Sequence, residues 1–205
     1  MELKNKTVLF LGSSVTYGSA AGGISFVDIL GERCGINCIK EAVSGTTLVD
    51  IDERSYISRL KALGTAQKPD LFICQLSTND ATRKKPLGEV SYTQFPDRNT
   101  VCGAIEYIIN YIRDVWDCPV IFYTNSYYNN DYYADMVDAM KKIASVYGVG
   151  LIDLYSDSEF NKITSEQRKI YMADDIHPTK EGYTEWWTPK MEEYLYKYLR
   201  ERVER

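Results

Sequence analysis

A single histidine, His177, occurs among the 205 residues. Catalytic zinc sites typically draw on one or more imidazoles, so this scarcity argues against most of them. It also narrows the chemistry: if a serine acts here as a nucleophile, only one imidazole is available to take its proton. Basic tracts are missing as well, since Arg83-Lys84-Lys85 is short, isolated and reads as a solvated loop. The net charge of -5 disfavours non-specific attraction to nucleic acid or to an anionic membrane. Apolar runs such as 8–11 and 71–74 fall far below the length that spans a bilayer. Residues 1–6 lead directly into the first expected strand, so no secretory signal is expected. The five cysteines (Cys34, Cys38, Cys74, Cys102, Cys118) are odd in number and contain no C-x-x-C pair. Several lie within apolar runs, which points to reduced, buried thiols and a cytoplasmic location.

What is present is an ordinary globular composition, 44% apolar and 26% charged. No repeat, low-complexity tract or linker interrupts it, and the length fits one domain over residues 1–205. Short apolar runs at 7–11, 37–42, 70–76, 119–124 and 150–154 read as strands. Between them, 23–34, 52–65, 100–116 and 131–147 carry helical spacing. Ile105, Ile108, Ile109 and Ile112 form an i, i+3, i+4, i+7 stripe that reads as core. A last helix is expected over about 180–203, burying Tyr183, Trp187, Met191, Tyr194, Leu195 and Tyr198. Of Trp186 and Trp187, one should be core and the other partly exposed. Alternating strands and helices with near-continuous apolar strands imply a parallel sheet covered on both faces. In such sheets ligands sit outside the carboxyl ends of the strands.

Four polar groups fall just after expected strands or in the last loop. Ser14, in Gly12-Ser13-Ser14-Val15-Thr16, follows the first strand and precedes a glycine-rich loop at 18–23. Such a turn can expose a hydroxyl and aim backbone N–H groups at a developing oxyanion. Asp174 and His177, in Asp174-Asp175-Ile176-His177-Pro178, are spaced so that a tight turn can join carboxylate and imidazole. Asp175 has the wrong offset and should face solvent. Asn79, in Ser77-Thr78-Asn79-Asp80, offers an uncharged amide donor, and Gly45, in Ser44-Gly45-Thr46, lets a backbone N–H approach a reacting carbonyl. Each alone also reads as a cap or turn residue.

Together and in this order, the four resemble the blocks of the SGNH (GDSL-type) hydrolase family, over nearly the whole chain. Ser14 matches the nucleophile of the G-D-S block, Gly45 the glycine block, Asn79 the asparagine of G-x-N-D, and Asp174 and His177 the terminal D-x-x-H block. Two positions depart: Ser13 stands where the namesake aspartate usually lies, and Ser77 replaces the glycine of G-x-N-D. The resemblance implies a flavodoxin-like three-layer α/β/α sandwich with a five-stranded parallel sheet. It further implies ester hydrolysis through an acyl-enzyme, with Ser14, Asp174 and His177 catalytic and Ser14, Gly45 and Asn79 forming the oxyanion hole. No cofactor or metal is implied. The absence of G-x-S-x-G argues against the α/β-hydrolase fold.

The expected partner is a small ester, with an acetylated carbohydrate first among the choices and a lysophospholipid or thioester as alternatives. Two stretches bear on it. Residues 81–98 form a long connection at the expected active-site edge, a length associated with lids or binding loops. Tyr123, Tyr127, Tyr128, Tyr132 and Tyr133 can stack on sugars, but equally serve as core or as an oligomer interface. Rival classes are a non-catalytic carbohydrate-binding relative and a nucleotide or phosphate binder using the 12–23 loop. The loop lacks both G-x-G-x-x-G and G-K-[ST], which disfavours the second.

Overall fold

Side-chain alternation along the central strands decides the layering in this computed structural model, which describes residues 3–203. In β1 (Thr7–Gly12), Val8 and Phe10 enter one apolar cluster while Leu9 and Leu11 enter the other. The same division splits β3 (Leu71–Gln75) and β4 (Val120–Tyr123), so each strand is buried on both sides. With β2 (Asn37–Ala42) and β5 (Gly150–Ile152) they form a five-stranded sheet of order β2-β1-β3-β4-β5, every pairing parallel. The edge strand β2 is correspondingly only half-buried. Three layers result, as expected.

The short α1 (Ser14–Tyr17) follows β1, and α2 (Phe26–Cys34) packs on one face of the sheet. On the other face lie α3 (Tyr56–Ala62), α4 (Thr78–Thr82), α5 (Val101–Val115) and α6 (Asp131–Tyr147). The Ile105, Ile108, Ile109 and Ile112 stripe of α5 is fully buried there. After β5 come α7 (Ser165–Tyr171) and α8 (Thr188–Val203), the latter returning to the α2 face. The expected strands are all present: β1 runs one residue further, β2 keeps its bounds, and β3, β4 and β5 are shorter. Helix 52–65 shortens to α3, and the short helices α1, α4 and α7 were not expected.

The last helix contains a π-helical segment, Gly182–Trp187. Both of its tryptophans are buried, which corrects the expectation that one would be partly exposed. Trp186 is covered because the 160–171 segment folds over it. Phe160 stacks on its ring at 4.5 Å, Tyr171 lies on it at 6.1 Å, and its Nε1 donates to the Phe160 carbonyl. The five cysteines are free thiols.

The long connection after α4 also differs from its expected role. It leaves the carboxyl edge and runs along α5 toward the amino ends of the strands. There Asn110 donates to the Thr93 carbonyl at 3.2 Å, and the Tyr92 ring meets Tyr147 at the far end of α6. It returns where Arg98 pairs with Asp50 at 3.1 Å. A buried carboxylate pins it: Glu106 accepts from the backbone N–H groups of Ser91 (2.9 Å) and Tyr92 (3.1 Å) and from the Ser91 hydroxyl (2.5 Å). Residues 91 and 92 are thereby strapped to α5, while the start of the connection stays at the carboxyl edge, where Arg83 donates to the Gly45 carbonyl at 2.9 Å.

Glu106→Ala leaves two N–H groups without their acceptor, so the free energy of unfolding should fall by about 1–3 kcal/mol in chemical denaturation. Amide exchange at Ser91 and Tyr92 should quicken in the same variant. Lost stability with unaltered exchange at those two amides would contradict the strap.

Candidate active site

All four predicted blocks reach the carboxyl edge of the sheet. Ser14 opens α1 directly after β1, and its hydroxyl lies 2.8 Å from His177 Nε2. His177 Nδ1 lies 2.8 Å and 3.0 Å from the two Asp174 carboxylate oxygens. With the carboxylate beside Nδ1, the proton of a neutral imidazole belongs there, leaving the Nε2 lone pair toward the hydroxyl. Hydroxyl, imidazole and carboxylate therefore stand in line, an arrangement able to draw the serine proton away.

Local folding accounts for each position. Gly12 must be glycine, because a Cβ there would stand 1.7 Å from Thr16 Oγ1 and 2.8 Å from Gln75 Oε1. Gln75 Oε1 accepts from the Ser13 N–H at 2.9 Å and the Thr16 hydroxyl at 2.8 Å, fixing the turn from below. Helix α1 is only one turn long, so its carbonyls need outside donors. The Ser14 carbonyl takes the helix's own closing bond from the Gly18 N–H at 2.9 Å, and from outside the Val15 carbonyl receives the Tyr183 hydroxyl at 2.7 Å. The Thr16 carbonyl receives the Ser25 hydroxyl at 2.7 Å. Gln75, Ser25 and Tyr183, from three separate segments, thus hold the turn that carries Ser14.

The Asp174–His177 turn is closed by its own carboxylate. Asp174 Oδ1 accepts the backbone N–H groups of Ile176 (2.7 Å) and His177 (2.8 Å). Burial raises the Asp174 pKa, but the hydrogen bond from His177 and the two backbone donors outweigh it and hold the carboxyl below its ordinary value. A Met172–Pro178 bridge ties the base of the loop, and Asn125 Nδ2 donates to the Ile176 carbonyl at 3.3 Å. Asp175 points away, 85% exposed and paired with Arg168 at 3.0 Å, as expected from its offset.

Gly45 and Asn79 come together through Thr46. Gly45 has φ +78°, a conformation that favours glycine. One N–H of the Asn79 amide donates to the Thr46 carbonyl at 3.0 Å, which leaves the second for another acceptor. Ser77, the residue departing from the family pattern, caps the helix carrying Asn79, accepting from the N–H groups of Asn79 (3.2 Å) and Asp80 (3.3 Å). Asp80 is buried and binds the Leu48 and Val49 N–H groups, fastening α4 to the segment after β2. Burial still pushes its carboxyl pKa upward. Ser13, the other departure, is buried against Gln75.

Sequence reasoning missed Arg59, Gln75, Tyr183 and Asn125. A signal existed for Arg59, which shares the helical face of Tyr56 and Leu60 and so is a charge on an apolar stripe. Among the expected tyrosines, Tyr123, Tyr128 and Tyr133 are core, while Tyr127 is 50% exposed with its ring 5.2 Å from Tyr155. Clefts of about 400 Å³, between α6, β5 and α8, and about 460 Å³, beside Leu87 and α6, include none of the residues above. The polar constellation, not cavity volume, marks the site. Among the described residues, no group of three or more histidine, cysteine or acidic side chains could hold a metal ion, and no helix is long and apolar enough to cross a membrane.

Comparison with known proteins yields a match to the GDSL-like lipase/acylhydrolase family over residues 10–184. A solved protein from Lactobacillus plantarum superposes with a TM-score of 0.79 at 21% identity, covering 96% of this chain and 98% of that one. A protein assigned to the G-D-S-L lipolytic family, from Desulfitobacterium hafniense, gives 0.71 at 19%, covering 93% and 99%. Axe2, an acetylxylan esterase from Geobacillus stearothermophilus, gives 0.67 at 17%, covering 95% and 96%. At such identities the likeness is one of fold. No curated protein matches the chain.

The depressed Asp174 pKa has a stability consequence. A lowered folded-state value adds stability above the unfolded carboxyl pKa, and that increment disappears as pH falls through the folded value. Thermal denaturation from neutral to acid pH should therefore show a component in the wild type that is absent from Asp174→Asn. Parallel curves for the two would count against this ionisation.

Proposed function

This chain belongs to the GDSL-like lipase/acylhydrolase family, and we propose that within it the protein is a serine esterase that removes a small acyl group, such as acetyl, from a carbohydrate or similar alcohol. The observation that carries the reading is the 2.8 Å approach of Ser14 Oγ to His177 Nε2, with Asp174 behind the ring. His177 takes the hydroxyl proton as Ser14 Oγ bonds to the ester carbonyl carbon. Asp174 balances the imidazolium that forms. The negative charge on the carbonyl oxygen is met by the backbone N–H groups of Ser14 and Gly45 and by the free N–H of the Asn79 amide. His177 then protonates the departing alkoxide, and the acyl-enzyme remains. Water, deprotonated by the same nitrogen, attacks that acyl group, and Ser14 recovers its proton as the acid leaves.

A small acyl group is supported by exposure. The His177 side chain is 25% exposed and Asp174 57%, so the relay opens to solvent, and neither cleft described above adjoins it to take a long acyl chain. The exposed Tyr127 ring, backed by Tyr155, supports a sugar as the alcohol part. Acetylxylan as the substrate of Axe2 is in keeping with this choice. The five free thiols support a reducing compartment such as the cytoplasm.

Hydrolysis of acetylated sugars and of p-nitrophenyl esters of increasing chain length should favour acetate, and Ser14→Ala should abolish turnover. Activity persisting in Ser14→Ala, or no labelling of Ser14 by a serine-directed phosphonate, would overturn the mechanism. Asn79→Ala should lower kcat by about a hundredfold or more, in line with roughly 2.7–4 kcal/mol for a lost oxyanion donor. Because the base must be neutral, kcat/KM should rise with pH. A pH-independent kcat/KM would argue against an ionising base in that role.

A further inference from the structure

We propose that Arg59 is a positioning residue for the oxyanion side of this site, its buried guanidinium setting the register between the Ser14 turn and the Gly45 turn. The inference rests on the esterase reading above. The Arg59 side chain, on α3, is 10% exposed, and all three of its nitrogens donate. Nε donates to the Arg54 carbonyl at 3.0 Å. Nη1 donates to the Glu41 carbonyl at 3.0 Å and to Glu41 Oε1 at 2.9 Å. Nη2 donates to the Gly12 carbonyl at 2.8 Å and approaches Thr46 Oγ1 at 3.2 Å. The guanidinium carbon lies over the Tyr56 ring, 5.3 Å from its centroid.

These acceptors are the ends of two neighbouring strands and the turns beyond them. Gly12 ends β1 two residues before Ser14, and Glu41 lies at the end of β2 shortly before Gly45. Thr46 follows Gly45, and its carbonyl holds the Asn79 amide. Each proposed oxyanion donor thus lies within two residues, or one hydrogen bond, of an atom that Arg59 grips.

Fixing two backbones and a hydroxyl at once requires a planar fork, which an ammonium on a flexible stem cannot reproduce. Stability alone does not call for a charge here, since well-packed apolar residues often replace a buried ion pair without loss. Oxyanion stabilisation does call for fixed geometry, because small displacements of donors are costly to rate.

The test uses Arg59→Lys, which keeps the charge, Thr46→Val, which keeps the shape, and the double variant, with p-nitrophenyl acetate as substrate. Arg59→Lys should lower kcat by about tenfold or more, with KM within about twofold of wild type and the pH midpoint of kcat/KM unmoved. Thr46→Val should lower kcat by about threefold or more, and the double variant should lose little beyond Arg59→Lys alone. Wild-type kcat in a folded Arg59→Lys protein, a loss confined to KM, a shifted midpoint or multiplicative losses in the double variant would each overturn the proposal. If circular dichroism shows Arg59→Lys unfolded, Thr46→Val and Glu41→Ala decide together: a lowered kcat in both upholds the proposal and an unchanged kcat in either overturns it. Both are needed because Thr46→Val also removes the Thr46 hydroxyl's bond to the Val43 carbonyl at 2.7 Å, whereas Glu41→Ala touches only the guanidinium. An inactive wild type would instead overturn the esterase reading, and this inference with it.

Discussion

The hydrogen bond between Ser14 and His177 joins residues 163 positions apart, and the site exists only because the sheet closes that distance. Every strand is parallel, so every strand ends at the same edge and delivers its following turn there. β1 supplies Ser14, β2 leads to Gly45, β3 to Asn79 and β4 to Asn125. The Asp174–His177 loop comes last: the Asn125 amide holds its Ile176 carbonyl, and the helix that follows is tied to the Ser14 turn by the Tyr183 hydroxyl on the Val15 carbonyl.

Beneath this edge the interior is unusually polar for a sheet so apolar elsewhere. Ser13, Thr16, Gln75, Thr124 and Asn125 are all buried, and most of their polar atoms serve the turns above them. Burying such groups is costly unless each finds a partner. Within such a network they fix backbone that no regular element would fix. Gln75 shows both sides of this arrangement. Its Oε1 anchors Ser13 and Thr16, while its Nε2 is buried with no hydrogen-bond partner among the described residues.

The two departures from the family pattern occupy this same layer. A serine at position 13 is small enough to lie fully buried beside Gln75, where its backbone N–H has found an acceptor. A serine at position 77 takes up capping of α4, so the helix start that presents Asn79 keeps a partner for its first N–H groups. In both places a hydroxyl supplies local hydrogen bonding without adding charge near the reacting groups.

Strand alternation, the α5 stripe and the order of the four polar blocks were legible in the residues, because each depends on periodicity or on spacing within a few positions. Local spacing was enough for Asp174 and His177, which meet within one turn, and for Asp175, which turns away from it. The path of the 81–98 connection was not legible, because it depends on Glu106 accepting hydrogen bonds from residues 14 and 15 positions earlier. Burial of both tryptophans was hidden for the same reason, since the segment that covers Trp186 comes from residues 160–171. Residue types and their order thus determined the layered fold and the chemical inventory at one edge. Only the tertiary structure decided which distant groups secure that edge, Arg59 and Gln75 among them, because a hydrogen bond between remote segments leaves no period in the chain.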